Sequence, residues 1–293
     1  MLNREWNHAI IIKVGPRKKK DKKGRIKMKK TWGILFTIAL AGATILSGCA
    51  QEAKNDKVLK IGTDDTYPPF EFRDDANKLV GFEVDLARLI GEELDMEVEF
   101  ISTSWAGIFN GLNSKSYDVI MSATSITPKR LESYIFTEPH MTNGQVIVTR
   151  AGEATITEPE ALEGLKVGVQ LETTADIAAS KYNETVDFEM LRFDEVIQTF
   201  SAMKAGHVDV IVADYAVAID YAAKDPDSYE LTEVMLTNEP IAITIRKDDT
   251  ELRDTLNGAL NALRESGALK DLSVKWLGND YTSNIDTELN VVE

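Results

Sequence analysis

Cysteine is almost absent: among 293 residues there is one, Cys49. No disulfide framework, four-cysteine zinc site or cysteine redox pair can be assembled from a single thiol. Histidine is scarce as well, and His8, His140 and His207 lack the spacing of metal ligands. There is no phosphate-binding GxxxxGK[ST] loop, no GxGxxG turn and no GxSxG elbow, so nothing in the sequence calls for a cofactor or a bound metal. Positive charge is thin where it would matter for a polyanion. Residues 50–293 carry 21 Lys and Arg against 46 Asp and Glu, a formal charge of −25. Such a surface repels phosphate backbones and excludes nucleic acid as a partner. With 43% hydrophobic and 28% charged residues, the composition is that of a globular chain, neither disordered nor polytopic in a membrane.

What basic charge there is gathers at the front, where residues 1–49 hold twelve Lys and Arg and two acidic residues. From Met28 the chain reads as a basic cap (Lys29, Lys30), an apolar run from Trp32 to Leu46, and small residues. That run is shorter than the roughly 20 residues a membrane-spanning helix needs, and it has the layout of an export signal. Leu46-Ser47-Gly48-Cys49 looks like a bacterial lipobox, so the one cysteine stands where diacylation and cleavage would make it the new N-terminus. Two acyl chains hold a protein at a membrane, where one is marginal. The expected division is 1–27 as a start-site artefact or extended leader, 28–48 as signal peptide and 49–57 as lipidated cysteine and tether. The acidic body is then extracytoplasmic and lipid-anchored to the cell membrane.

From Val58 onward, short β-rich runs alternate with amphipathic segments, the pattern of α/β folds with mainly parallel sheets. Strands are expected at Val58 to Gly62, Val98 to Ile101, Asp118 to Ser122, Val146 to Thr149, Lys166 to Gln170, Asp209 to Ala213 and Ile241 to Ile245. Phe82, Leu86, Leu89, Ile90 and Leu94 recur at helical spacing and predict a core-facing helix. A helix with Ile108 and Leu112 leads into Asp118-Val119-Ile120-Met121-Ser122; one with Val196, Phe200 and Met203 leads into Asp209-Val210-Ile211-Val212-Ala213. This internal echo predicts two similar lobes. Open α/β sheets bind ligands at the carboxyl ends of their parallel strands, which singles out Ser122 to Ser125 and Asp214.

The residues there suit a zwitterion. Thr127 is an N-cap candidate with Pro128 at the first helical position, and Arg130 follows. Backbone amides, hydroxyls and a guanidinium together fit a carboxylate, although on position alone a solvated arginine is the commoner outcome. Asp214 could accept an ammonium or cap the helix opening at Tyr215, and Thr173 and Thr174 could bind a ligand or cap a helix. Tyr67, in the turn after the first strand, and Trp105, at a helix start, read equally as core or as ligand-flanking aromatics.

In combination these segments resemble the bacterial extracellular solute-binding proteins for polar amino acids, the capture subunits of ABC importers. The likeness runs from about Val58 to Trp276. It rests on Gly62-Thr63-Asp64 with Tyr67-Pro68-Pro69-Phe70-Glu71-Phe72, on Gly81-Phe82-Glu83-Val84-Asp85-Leu86-Ala87, and on Met121-Ser122-Ala123-Thr124-Ser125-Ile126-Thr127-Pro128-Lys129-Arg130. Lys166-Val167-Gly168-Val169, Thr173-Thr174, Asp209 with Asp214, Gly267-Ala268-Leu269-Lys270 and Lys275-Trp276 follow in order. The resemblance implies a two-lobed periplasmic-binding-protein-like fold of type II, with lobe 1 at 58–143 and 239–293, lobe 2 at 144–238, and two hinge segments that let them close on a ligand. It also implies roles for single residues. Arg130 would grip the ligand α-carboxylate with the Ser125 amide, Thr173 and Thr174. Asp214 would take the α-ammonium, helped by the Ala123 carbonyl, beside Ser122. Tyr67 and Trp105 would flank the side chain, and Asp64 would face its far end. Glu172 departs from the glycine common at its position, which weakens the carry-over at Thr173. Asp64, Glu71 and Glu172 would favour a cationic side chain, unless the two glutamates point to solvent.

The implied partners are a free amino acid, an ABC permease with its ATPase and, through the lipid, the membrane; the acidic surface suggests a monomer. Two other classes fit the same fold. A dehydratase would need a general acid beside Arg130, and a sensory binding module would need a signalling partner.

Overall fold

The chain enters its first sheet on β1 (Val58–Thr63), where Leu59 and Ile61 are buried and Lys60 between them is exposed. A small antiparallel arrangement follows, β2 (Thr66–Tyr67), β3 (Glu71–Arg73) and β4 (Leu79–Val80). It delivers the chain to α1 (Phe82–Leu94) through Gly81, whose φ of 140° and lack of a Cβ are both required: a Cβ there would lie 2.0 Å from the Phe70 carbonyl oxygen. Phe82, Leu86 and Ile90 form the fully buried stripe of α1, and Leu89 and Leu94 pack at its margin, as their spacing predicts. Then come β5 (Glu97–Ser102), α2 (Trp105–Asn113), β6 (Val119–Ile120), α3 (Pro128–Ser133) and β7 (Tyr134–Phe136). The computed structural model describes residues 58–153 and 156–289; the export signal, Cys49 and the tether lie outside them.

After a first crossing, the second sheet is built from β8 (Gln145–Arg150), β9 (Lys166–Gln170), α4 (Thr174–Tyr182), β10 (Glu189–Phe193), α5 (Val196–Lys204), β11 (Val210–Asp214), α6 (Tyr215–Lys224) and β12 (Tyr229–Met235). The chain then returns to the first sheet with β13 (Thr244–Arg246), and α7 (Thr250–Ser266) and α8 (Ala268–Leu277) pack back against α1.

The two sheets have the same design. The first runs β5-β1-β6-β13-β7 and the second β10-β9-β11-β8-β12. In the first, β5, β1 and β6 pair in parallel, and β13 is antiparallel to both its neighbours, so four strands share one direction. In the second, β10, β9 and β11 are parallel and β8 is the reversed strand. The reversed strand in each sheet is the one that the chain enters directly after crossing over. The sheets are therefore mainly parallel, and the echo read from sequence is real: α2–β6 occupies in the first lobe the place of α5–β11 in the second. Val196, Phe200 and Met203 are buried as that reading requires, and so are Ile108 and Leu112.

The crossings lie side by side. The His140 amide donates to the Ile241 carbonyl, the Ile241 amide to Met141 and the Glu239 amide to Asn143, each at 2.9 Å, and the Leu236 amide to Gln145 at 2.7 Å. Two backbone segments bonded this way bend together, which is the geometry of a hinge. They also explain why the expected strand Ile241 to Ile245 joins the sheet only from Thr244: Ile241 instead bridges Met141 and Ser125 within the crossing.

Candidate ligand-binding cleft

Between the two sheets lies a small cavity, its space together with its opening about 310 Å³. Its lining brings together ten of the residues singled out from sequence, Asp64, Tyr67, Trp105, Ser122, Ala123, Ser125 and Arg130 from the first lobe and Thr173, Thr174 and Asp214 from the second, but neither Glu71 nor Glu172. One more residue, Gln170, completes it. The common cause is topological. β1, β6, β9 and β11 all point their carboxyl ends into the gap, and α2, α3, α4 and α6 begin there.

Asp214 ends β11 and stands at the N-cap position of α6, yet its side chain makes no capping bond. Its Oδ1 instead accepts from Asn143 Nδ2 and Gln145 Nε2, both at 2.6 Å, and its Oδ2 accepts from the Tyr67 hydroxyl at 2.5 Å. Burial pushes its carboxyl up to about 6, with the nearby Glu239 adding to the rise and the three donors opposing it. Burial and the Asp214 charge hold the Tyr67 phenol well above its ordinary value. The result is a fixed acceptor with its charge directed into the cleft.

Facing it from the first lobe, Arg130 sits in the first turn of α3, where its amide is capped by the Thr127 hydroxyl at 3.1 Å. It is not a free surface arginine. Nη1 donates to the Ser125 carbonyl at 2.9 Å, and the guanidinium lies 5.4 Å from the Trp105 ring centre and 5.3 Å from that of Phe109. Stacking of this kind fixes the plane of the guanidinium.

The floor is held from behind by buried carboxylates. The Ser122 hydroxyl accepts from the Asp64 amide at 3.0 Å and donates to Glu71 Oε1 at 2.9 Å, so both its bonding directions are committed. Ala123 has a φ of 47°, in the left-handed region, and its amide donates to Glu83 Oε2 at 2.6 Å, while Glu83 Oε1 is 2.9 Å from His140 Nε2. Glu71, Glu83 and His140 are all fully buried. Glu71 therefore does not point to solvent; burial, and then the neighbouring Glu83 charge, holds it well above the carboxylate range. Asp64, 3% exposed, is likewise raised to about 6 by burial; the Thr66 hydroxyl opposes this shift and Glu195 adds to it. The second oxygen of Asp64 has no hydrogen-bond partner.

On the opposite wall, Thr173 caps α4: its hydroxyl accepts from the Asp176 amide at 3.3 Å and donates to the Gln170 carbonyl at 2.7 Å. The Thr174 hydroxyl accepts from Gln145 Nε2 at 3.0 Å. Glu172 adopts a φ of 61°, its amide is taken by Asp176 at 3.1 Å, and its side chain is exposed. A glycine is the natural occupant of that conformation. Gln170 escaped the sequence reading although the strand expectation ended on it. Its Nε2 bonds the Asp194 carbonyl at 3.1 Å, and its Oε1 is buried without a partner. Asn143, Gln145 and Glu239, which surround Asp214, carried no sequence signal because they sit in or beside the crossings.

Three contacts bridge the lobes across this cavity: Tyr67 to Asp214, the Trp105 Nε1 donor to the Glu172 carbonyl at 3.1 Å, and the Thr66 hydroxyl to Glu195. The cleft is closed. Its chemistry is a guanidinium on one wall and a carboxylate on the other, with aromatic surface between and a further carboxylate at Asp64.

Residues 59–279 match the family described as bacterial extracellular solute-binding proteins, family 3. A probable amino-acid ABC transporter-binding protein of Haemophilus influenzae is 34% identical over 87% of this chain and 100% of its own length. Among solved structures, an ancestral arginine-binding protein bound to arginine superposes with a TM-score of 0.72 at 35% identity, covering 75% of this chain and 98% of that one. The ancestral amino acid-binding protein AncCDT-1, a precursor of cyclohexadienyl dehydratase, gives a TM-score of 0.70 at 34% identity over 75% of this chain and 95% of that one.

Proposed function

Because the chain belongs to the bacterial extracellular solute-binding proteins of family 3, we propose that its cleft captures a polar L-amino acid as the zwitterion and hands it to an ABC permease coupled to its ATPase. The observation that carries this reading is the placement of Arg130 and Asp214 on opposite walls of one cavity. A zwitterion stripped of water must have each charge paired, because an unpaired buried charge costs far more than a lost contact. Arg130 takes the α-carboxylate with backbone amides near Ser125 and at the Thr173–Thr174 helix start. Asp214 takes the α-ammonium beside the Ala123 carbonyl. Tyr67 and Trp105 flank the side chain, and its far end meets Asp64. Thr173 contributes backbone more than hydroxyl, since its hydroxyl already caps α4 and donates to the Gln170 carbonyl.

Groups from both lobes meet on one small ligand, so binding shifts the hinge equilibrium toward the closed form. Family membership implies an extracytoplasmic site of action. Anchoring by a lipid on Cys49 and a monomeric state complete the reading; they rest on the lipobox and the acidic surface. A second reading, an elimination enzyme, draws on the likeness to the dehydratase precursor, which is itself described as an amino acid-binding protein. Asp64, raised to about 6, has the acidity such a reaction asks of a general acid.

Titration calorimetry with amino acids on wild-type protein and on Arg130→Ala and Asp214→Ala tests the proposal. Each variant should lose about 2 to 5 kcal/mol of affinity, the cost of leaving one buried charge alone. Losses below tenfold for both reject the site, and turnover of a cyclic acid without amino-acid binding moves the assignment to the enzyme.

A further inference from the structure

Asp64 and Glu195 come from opposite lobes and meet on one hydroxyl. Thr66 Oγ1 lies 2.7 Å from Asp64 Oδ1 and is also bonded to Glu195 Oε2. A threonine hydroxyl has one hydrogen, so it can serve one of these carboxylates fully and not both. The two bonds differ in origin. Thr66 and Asp64 are two residues apart in the same turn, where the Thr66 amide also bonds Asp64 Oδ1 at 3.2 Å, so that pair persists when the lobes part. Glu195 stands at the start of α5 in the second lobe and reaches Thr66 only when the cleft is shut. Closure thus brings a second negative charge onto a donor already in use.

The deficit opens toward the ligand. Asp64 lines the cavity, and its Oδ2 is buried with no hydrogen-bond partner; Gln170 Oε1, also buried in the cavity wall, is a second acceptor without one. Two other acidic groups nearby lie outside the cavity lining. Asp65 is paired with Arg73 at 2.6 Å, and Glu71 is bonded to Ser122 through Oε1, its buried Oε2 having no partner. Resting on the amino-acid reading above, we propose that the Asp64–Thr66–Glu195 contact is a charge-selective latch, in which a cationic ligand side chain at Asp64 supplies the positive charge that closure requires. Glu195 is a positioning residue in this scheme. It acts through Thr66 on Asp64 and lies outside the cavity lining, so it distinguishes ligands by charge without touching them. A neutral side chain of the same shape leaves two carboxylates sharing one hydrogen, and the closed form is then disfavoured.

L-arginine and L-citrulline test this, since they differ in charge and hardly in shape. At an effective dielectric near 20, one carboxylate a few ångström from a cation changes its binding by about tenfold or more. Calorimetric titration of wild-type protein should therefore show arginine bound at least about tenfold more tightly than citrulline. In Glu195→Gln that ratio should fall by about tenfold, with citrulline affinity unchanged or improved, because the amide carries no charge and can donate to the Thr66 oxygen, leaving the Thr66 hydrogen to Asp64. Glu195→Asp, which keeps the charge, should restore most of the preference. An equal loss for both ligands in Glu195→Gln marks a merely structural residue and overturns the proposal. A wild-type ratio within threefold, or tighter binding of neutral amino acids, also overturns it while leaving the amino-acid reading intact. Failure of every amino acid to bind sinks both.

Discussion

Replacing Asp214 with asparagine should separate binding from stability, because the same carboxylate that serves the ligand burdens the empty fold. Burial raises its pKa from 3.8 to about 6. Holding it ionised at pH 7 therefore costs roughly 3 kcal/mol of folding free energy, taking about 1.4 kcal/mol per pH unit. Asparagine abolishes that cost. It also presents an amide to donors from Asn143, Gln145 and Tyr67, and leaving at least one of them unserved costs about 1 to 3 kcal/mol. The two effects offset, so the unliganded Asp214→Asn protein should unfold in denaturant within about 2 kcal/mol of wild type. Ligand affinity should fall by about 2 to 5 kcal/mol, or about 30-fold to several thousand-fold. Urea unfolding and calorimetric titration at pH 7.5 measure the two quantities on the same sample. A variant that binds amino acids within tenfold of wild type but loses more than 4 kcal/mol of stability would show that Asp214 is structural, and the argument would fail.

The two raised carboxylates also set a pH dependence. Burial favours the protonated forms of Asp64 and Asp214, so their burden on the empty fold is absent below about pH 4, grows as pH rises toward about 6 and is constant above it. Affinity runs the other way, since a ligand cation needs the ionised forms: at pH 5 each engaged carboxylate should weaken binding about tenfold relative to pH 7.5, giving about a hundredfold for a ligand that uses both. Titrations between pH 5 and 7.5 with no such trend would contradict the assignment. Glu172→Gly should stabilise the protein by about 0.5 to 1 kcal/mol in urea unfolding, because it relieves a left-handed non-glycine residue whose side chain is exposed. Tyr67→Phe removes a bridge between the lobes but leaves Asp214 ionisable. Small-angle scattering should show a more open unliganded form, with affinity reduced by less than in Asp214→Asn; an unchanged radius of gyration would mean that the bridge does not hold the cleft shut.

The parts legible in sequence were those set by local rules. Strand ends and helix starts put all ten candidate residues in one place, because an α/β sheet directs the carboxyl ends of its parallel strands to one edge. Thr127 with Pro128 announced α3, and the repeated helix-strand unit announced two lobes of one design. Partners remote in the chain were not legible. Asp214 could be read equally as a cap, and only the approach of Asn143, Gln145 and Tyr67, from 69 to 147 residues away, decides against a capping side chain. The burial of Glu71 and the Glu83–His140 pair depend on packing that no local pattern encodes. The strands β2, β3, β4, β7, β10 and β12 were missed, β12 although it is the longest of all at seven residues, and the Ile241 run was overextended because an apolar crossing segment has the composition of a strand. Gln170 was in view at the end of its strand.

The central claim is that this cleft binds an amino-acid zwitterion between Arg130 and Asp214. A thermal-shift panel of the twenty L-amino acids with ornithine and cystine on the purified chain tests it most directly. A ligand at 100 times its dissociation constant adds about 2.7 kcal/mol, or roughly 5 to 10 °C for a chain of this size. The account predicts a shift of that order with one or a few polar amino acids, cationic ones foremost, and its loss in both Arg130→Ala and Asp214→Ala. No shift with any amino acid, or a shift that survives in both variants, would contradict it.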